Sequence, residues 1–338
     1  MLKRTKELLS AMEKPETYDE PVKYIKLIQT HISWVFLTGN FVYKIKKPVD
    51  FGFLDFSTLE KRKKFCKKEV EINRLFSPEI YIGVFPVNKF GYNIKINGPG
   101  ETIEYVVKMK ELPQDRIMSI LLDKDEIDTK IMDKLLDKLL EFYSKTKTLT
   151  DPFSPGSLET VKYNWKMNFR TVEKYIGRMI DEQTFEFVKG RVENFMKENK
   201  DLFSQRLMKG FVKWCHGDLH SGNIFVVDDK IYIFDAIEFN ENFACSDVAN
   251  DIAFLLMDLE FRHRRFLSDY FLKRYIEKTG DEDVKRLLDF YKCYRAYVRG
   301  KVNGLKIDDP SVPDFEKKES QDIARLYFQK ALEYAKTF

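Results

Sequence analysis

The stretch that most restricts what this chain can become is His216–Asp235, HGDLHSGNIFVVDDKIYIFD. Asn223 follows Asp218 by five positions. Gly222-Asn223-Ile224-Phe225-Val226-Val227 has the apolar, β-branched character of a short strand. Asp228-Asp229 supplies turn residues, and Lys230-Ile231-Tyr232-Ile233-Phe234 reads as a return strand that ends on Asp235. A hairpin sets its two open ends side by side. Asn223 and Asp235 are therefore predicted to meet, with Asp218 in the loop just before them. Two oxygen ligands and a free carboxylate would converge on one spot.

Phosphoryl transfer uses such a set. One Asp takes the acceptor hydroxyl's proton while an Asn and a second Asp hold Mg²⁺ on the phosphates. Mg²⁺ favours hard oxygen ligands, which these are. The spacing from Asp218 to Asn223 fits the kinase catalytic-loop pattern D-x-x-x-x-N. The form found here, HGDLHSGN followed by FDAIEF, resembles the aminoglycoside-phosphotransferase-like small-molecule kinases more than protein kinases, whose loop begins His-Arg-Asp. The run LTGNFVYKIKKPVDFGFLDFSTLEKR is similar to a subgroup that is sometimes fused to a P-loop ATPase domain, although no Walker A sequence occurs here.

The resemblance spans nearly the whole chain. It implies a bilobal protein-kinase-like fold of class α+β, with a small antiparallel-sheet N-lobe over 1–110 and a mainly helical C-lobe over 111–338. It also implies ATP and Mg²⁺ as cofactors and a hydroxyl of a sugar, amino sugar or amino alcohol as acceptor. Two other readings stand beside it. His216-x-Asp218-x-His220 could ligate the metal of a metallohydrolase, but four histidines are few for such a centre. A degenerate kinase fold could serve only as a binding or regulatory module. Against that, Asp218, Asn223, Asp235 and a strand lysine are all present.

Composition narrows the field further. A net charge of +4 on 338 residues is not the dense basic footprint of a nucleic-acid binder. Cys66, Cys215, Cys245 and Cys293 are widely separated without a C-x-x-C, which suggests free thiols in a reducing compartment. The first residues, MLKRTKELLSAMEKPETYDE, contain no apolar signal-peptide region, and the apolar run that includes Ala253–Met257 is far too short for a membrane span. A cytoplasmic protein is expected.

Along the chain, residues 1–20 read as a polar helical lead-in. Val22–Ile28, Ile32–Leu37 and Phe41–Lys46 read as strands, the last two joined by the turn Thr38-Gly39-Asn40. Phe56–Phe76 reads as a helix capped by Ser57 three residues before Glu60. Segments 80–87, 91–96 and 102–109 complete a sheet of about five or more strands. From Ile127 the period changes to 3.6, with Ile127, Ile131, Leu135, Leu139 and Phe142 as a core stripe. Two or three helices follow over 158–208. Asp247–Met257 reads as a buried helix, and 262–338 as further helices.

The remaining site residues come from the same reading. Lys44 and Lys46 lie two apart and point to one face of their strand. One should pair the nucleotide's phosphates, and the family pattern favours Lys46. Glu69 is the helix glutamate implied as its partner, with Glu71 on the other side of the helix as the runner-up. Ser33 in the first hairpin loop is an implied phosphate contact. Lys110-Glu111-Leu112-Pro113 reads as a hinge whose Lys110 and Leu112 backbone would meet adenine. Glu238 and Glu241, with Asp218, would make the acceptor mouth acidic. The family places an Asp in the buried helix that braces the catalytic loop, a role for Asp247 or Asp251, with His216 as further support.

Overall fold

The shift from period two to period 3.6 is realised as two compact units in the computed structural model, which describes residues 2–309 and 312–338. One unit is Met1–Met118 with Asn223–Asn240, and the other is Ser119–Gly222 with Glu241–Phe338.

The first part of the chain forms α1 (Leu2–Met12), β1 (Lys26–Gln29), β2 (Ser33–Leu37), β3 (Phe41–Lys46), α2 (Leu59–Phe76), β4 (Tyr81–Phe90), β5 (Asn93–Ile96) and β6 (Glu101–Lys110). Helices α3 (Met118–Asp123), α4 (Thr129–Lys145), α5 (Leu158–Val172), α6 (Glu182–Glu198) and α7 (Lys200–Met208) follow. Then come β7 (Val212–Trp214), β8 (Ile224–Val227), β9 (Lys230–Ile233), α8 (Glu241–Ala244), β10 (Cys245–Asp247), α9 (Val248–Phe261), α10 (Arg265–Thr279), α11 (Val284–Ile307) and α12 (Asp314–Ala335).

In the first unit six antiparallel strands run in the order β1-β2-β3-β6-β4-β5. Strand β3 is interior, with Lys44 opposite Val35 on one side and Val107 on the other. Side chains alternate across the pleat. Tyr43 and Ile45 therefore enter an apolar cluster with Trp34, Phe36, Val87 and Val106. Lys44 and Lys46 are left for the opposite face, the side of α2. That helix buries Cys66, Glu69, Asn73 and Phe76, spaced three or four apart, with Val70 beside them, so one stripe faces the sheet. Its cap is Thr58, whose side chain accepts from Lys61 N. Ser57, the expected cap, is already committed: its hydroxyl donates to Asp55 Oδ1 at 2.6 Å.

The β8–β9 hairpin belongs to this unit, where Phe225 packs among Val70, Ile80, Tyr81 and Leu112. Its two-residue turn places Asp228 and Asp229 at φ of 47° and 62°, the left-handed pair that suits a tight hairpin. The hinge reading sets a single boundary at residues 110–111. The units instead change over at Met118–Ser119, and the hairpin returns to the first of them.

In the second unit, Asp128 caps α4 by accepting from Ile131 N, and the helix buries Met132, Leu135, Leu136, Leu139, Phe142 and Tyr143. Helix α9 is buried along nearly its whole length. Trp165 of α5 packs on Tyr294 and Tyr297 of α11 with ring centroids 5.2 and 5.5 Å apart. All four cysteines are buried, and none forms a disulfide. No helix among the described residues is long and apolar enough to cross a membrane.

Candidate active site

The first unit joins three distant parts of the sequence through the lysine face of β3. Lys44 Nζ lies 2.9 Å from Glu69 Oε1 and 2.5 Å from Asp235 Oδ1. Lys46 Nζ lies 2.6 Å from Glu69 Oε2 and 2.5 Å from Glu238 Oε1. Burial alone would raise the Glu69 carboxyl, but Lys44 and Lys46 override it and hold it at about 2. Burial likewise opposes the charge on Lys44, yet Asp235 and then Glu69 keep its ammonium well above the ordinary range. Glu71, the alternative, is exposed and lies beside Lys67 and Lys68 on the outer face of α2.

The hairpin's open end forms as its pattern implies. Phe234 N donates to Asn223 O at 3.1 Å, so Asn223 and Asp235 flank the same end. The chain around Asp235 is tied to neighbouring elements. Asp235 N donates to Tyr81 OH at 3.1 Å, Ala236 N to Asn73 Oδ1 at 2.9 Å, and Ile233 N to Ser77 Oγ at 3.0 Å. Asp235 itself has φ of 63°, a left-handed conformation that Asp tolerates better than most residues. Its side chain is 46% exposed.

In the second unit the loop His216–Gly222 is held by α9 and α11. Asp251 accepts from His216 N at 2.7 Å and from Gly217 N at 2.8 Å. Asp258, seven residues on and thus on the same helix face, accepts from Ser221 N at 2.9 Å and Ser221 Oγ at 2.5 Å. Arg295 donates from Nη1 to Gly217 O at 2.7 Å. His216 is fully buried, and its Nδ1 accepts from Asp218 N at 3.2 Å. Asp218 Oδ2 is 3.5 Å from His220 Nε2, and the Asp218 side chain is 40% exposed. Burial would raise its carboxyl, but His220, Arg299 and His216 together hold it well below the usual carboxylate range.

The two aspartates of the buried helix divide their work. Asp251 braces the loop. Asp247 caps α9 and forms a buried ion pair with Arg206, which also binds Asp281. The histidine cluster has other partners: Nδ1 of His220 accepts from Gly222 N at 3.1 Å. Among the described residues no group of three or more His, Cys, Asp or Glu is arranged to hold a metal ion.

Several sequence-derived positions differ. Ser33 is the first residue of β2 and not a loop residue, because the turn closes at Thr30, whose Oγ1 accepts from Ser33 N at 2.9 Å. Its hydroxyl is buried without a hydrogen-bond partner. Glu238, read as rimming an open acceptor mouth, is 3% exposed and turned onto Lys46, whereas Glu241 is exposed at the start of α8. At the expected hinge, Lys110 N donates to Ile80 O at 2.8 Å, and Leu112 O accepts from Gln114 Nε2 at 2.9 Å. Sequence reasoning passed over Glu111, which accepts from Thr38 N and Gly39 N at 2.9 and 2.8 Å. It also passed over Arg206, Asp258 and Arg295. The seven-residue spacing of Asp251 and Asp258 was the one available signal for Asp258.

Comparison with known proteins gives this arrangement a class. Residues 133–288 match the model of the phosphotransferase enzyme family. The fold is similar to that of an aminoglycoside 2'-phosphotransferase-IIIa solved as its GDP complex, with a TM-score of 0.56, 13% identity, and coverage of 97% of this chain and 98% of that one. It is also similar to a choline kinase from Cryptosporidium parvum, with a TM-score of 0.57, 12% identity, and coverage of 99% and 96%. The chain thus has a kinase-like fold, and its segment 133–288 is similar to the phosphotransferase enzyme family. In sequence it is 30% identical over 288 residues to uncharacterised proteins of Mycobacterium tuberculosis and Mycobacterium bovis, covering 85% of this chain and 56% of theirs. It therefore spans little more than half the length of those relatives.

Proposed function

We propose that the protein is an ATP-dependent phosphotransferase that moves the γ-phosphoryl group to a hydroxyl of a sugar, amino sugar or amino alcohol. The observation that carries this reading is the Lys44–Glu69–Asp235 connection. A strand lysine, a helix glutamate and an aspartate at a hairpin's end are the parts that hold nucleotide phosphates in kinases. Choline kinase and a phosphotransferase crystallised with GDP and kanamycin share the fold, which supports a small hydroxylated acceptor.

In this reading Lys44 binds the α/β-phosphates. Its direct contact with Asp235 favours it over Lys46, whose second partner is Glu238. Mg²⁺, when bound, neutralises charge on the β- and γ-phosphates. Asn223 and Asp235 suit it because both offer hard oxygens and the Asp235 side chain is half-open. Asp218 orients the acceptor hydroxyl and receives its proton. Its carboxyl, held below the usual range by His220, Arg299 and His216, is ionised and can accept a hydrogen bond from that hydroxyl. A loose phosphoryl-transfer transition state asks for little more, since the nucleophile's proton leaves late. Ser33, which is fully buried, and Lys110, whose N–H is held by Ile80 O, carry no part of this reading. Glu241 is the remaining acidic candidate on the acceptor side. The buried free thiols suit the cytoplasm.

The test is nucleotide consumption by purified protein, with ATP and GTP compared, against sugars, amino sugars and amino alcohols. Acceptor-dependent, Mg²⁺-dependent ATP consumption supports the proposal. Nucleotide binding with no turnover on any acceptor would favour a regulatory module.

A further inference from the structure

We infer that Glu238, acting through Lys46, is a positioning residue that clamps the Asp235 loop to β3. The inference rests on the roles proposed above for Lys44 and Asp235. Phosphate binding in kinases needs one strand lysine and one helix glutamate. Here Glu69 serves two lysines, one per carboxylate oxygen, at 2.9 and 2.6 Å. The far partners of those lysines, Asp235 and Glu238, lie three residues apart on one segment. The result is a single chain of alternating charge, Asp235–Lys44–Glu69–Lys46–Glu238. The segment is thereby fastened to adjacent same-face positions of one strand.

Geometry separates the two fastenings. The Lys44–Asp235 contact is on the open side, with Asp235 half-exposed. Phosphate on Lys44 and a cation on Asp235 would compete with it directly. The Lys46–Glu238 contact is closed off: the side chains are 1% and 4% exposed. Phe56 covers Lys46 at 4.9 Å from ring centroid to Nζ, and Phe239 packs edge-on against Phe56. A ligand on Lys44 leaves this second contact untouched. It therefore keeps Glu69 and the loop in register when the first contact is exchanged for ligand. Otherwise Asp235, in a left-handed conformation, is held mainly through the Asp235 and Ala236 amides. Buried ion pairs seldom add net stability over apolar packing, and their best-attested use is to fix one geometry.

The test has two independent arms, using the full chain with Glu238→Gln, Lys46→Met, the double variant, and the exposed control Glu71→Gln. The first arm measures hydrogen exchange at the Asp235 and Ala236 amides in the free protein. The clamp predicts about tenfold faster exchange there in both single variants, the loss of roughly one charge-assisted bond, and no change in the control. The double variant should be no worse than the worse single, because the two groups act as a pair. The second arm measures affinity for a non-hydrolysable ATP analogue with and without Mg²⁺. Glu238→Gln should remove most of the Mg²⁺-dependent gain and leave Mg²⁺-free binding within about threefold. Unchanged exchange at these amides, or exchange that rises equally throughout the protein, would overturn the clamp. If wild-type protein binds no nucleotide, the kinase reading fails while the exchange arm still decides the clamp. Should the single variants not fold, Glu238→Asp and Lys46→Arg serve in both arms, with partial protection expected from each.

Discussion

Replacing Asp251 by Asn tests how the loop over residues 216–222 is held. The wild-type carboxylate is fully buried; its Oδ2 accepts from His216 N at 2.7 Å and Tyr143 OH at 3.3 Å, and its Oδ1 from Gly217 N at 2.8 Å. Asparagine is the same shape but keeps one acceptor. Its amide N–H₂ must face the other backbone N–H, so one bond is lost and a buried donor is left unpaired. Bonds to a charged acceptor contribute about 1.5–3 kcal/mol each, and an orphaned buried donor costs about 1–3 kcal/mol. Arg295 Nη2, 4.0 Å from the carboxylate, also loses its nearby negative charge. The combined expectation is a destabilisation on the order of 3–5 kcal/mol. One residue past Gly217 the loop reaches Asp218, and a displacement of about 1 Å there is enough to cost about 10²-fold in turnover. Urea unfolding gives the stability difference, and steady-state turnover with a chosen acceptor gives the second. A loss below about 0.5 kcal/mol with normal turnover, against the expected charge-assisted bonds, would refute the bracket.

Other outcomes follow from the same contacts. Lys44→Ala should raise the ATP KM more than Lys46→Ala, because Lys44 is the lysine that touches Asp235; steady-state kinetics give the order, and the reverse order would return the phosphate role to Lys46. Asp235→Ala should weaken Mg²⁺-dependent nucleotide binding as well as turnover, and calorimetry showing unchanged affinity would remove its metal role. Lys301 is a pH probe: burial lowers its amine to about 8, and its Nζ donates to Asn168 Oδ1 at 2.6 Å. Between about pH 8 and the unfolded value near 10.4 the unfolded chain holds a proton that the native state has shed, so this residue makes stability rise with pH across that window. Lys301→Met should abolish that rise and stabilise the protein at pH 7 by up to about 3 kcal/mol, read from urea melts at pH 7, 8 and 10.

Much of the fold was legible because its signals are local. Alternating apolar residues in Phe41–Lys46 are enough to place both lysines on one face, and both do reach Glu69. The Asp-Asp turn and its flanking β-branched runs are enough to specify a hairpin. What stayed hidden depends on contacts across long stretches of chain. Glu238 reads as part of an acidic acceptor mouth because nothing nearby in sequence shows that Lys46, 192 residues away, buries it. Arg206 carried no motif, yet it ties Asp247 and Asp281 together inside the helical unit. Ser57 and Thr58 are adjacent hydroxyl residues, and only the Asp55 contact decides which of them caps α2.

The central claim is phosphoryl transfer oriented by Asp218. The direct measurement follows label from γ-³²P-ATP into an acceptor identified by the consumption screen, comparing wild type with Asp218→Asn at matched nucleotide occupancy. The account predicts label in the small molecule with wild type. With Asp218→Asn it predicts a fall of about 10²–10⁴-fold, while the affinity for Mg²⁺·ATP persists. Undiminished transfer by Asp218→Asn would contradict it.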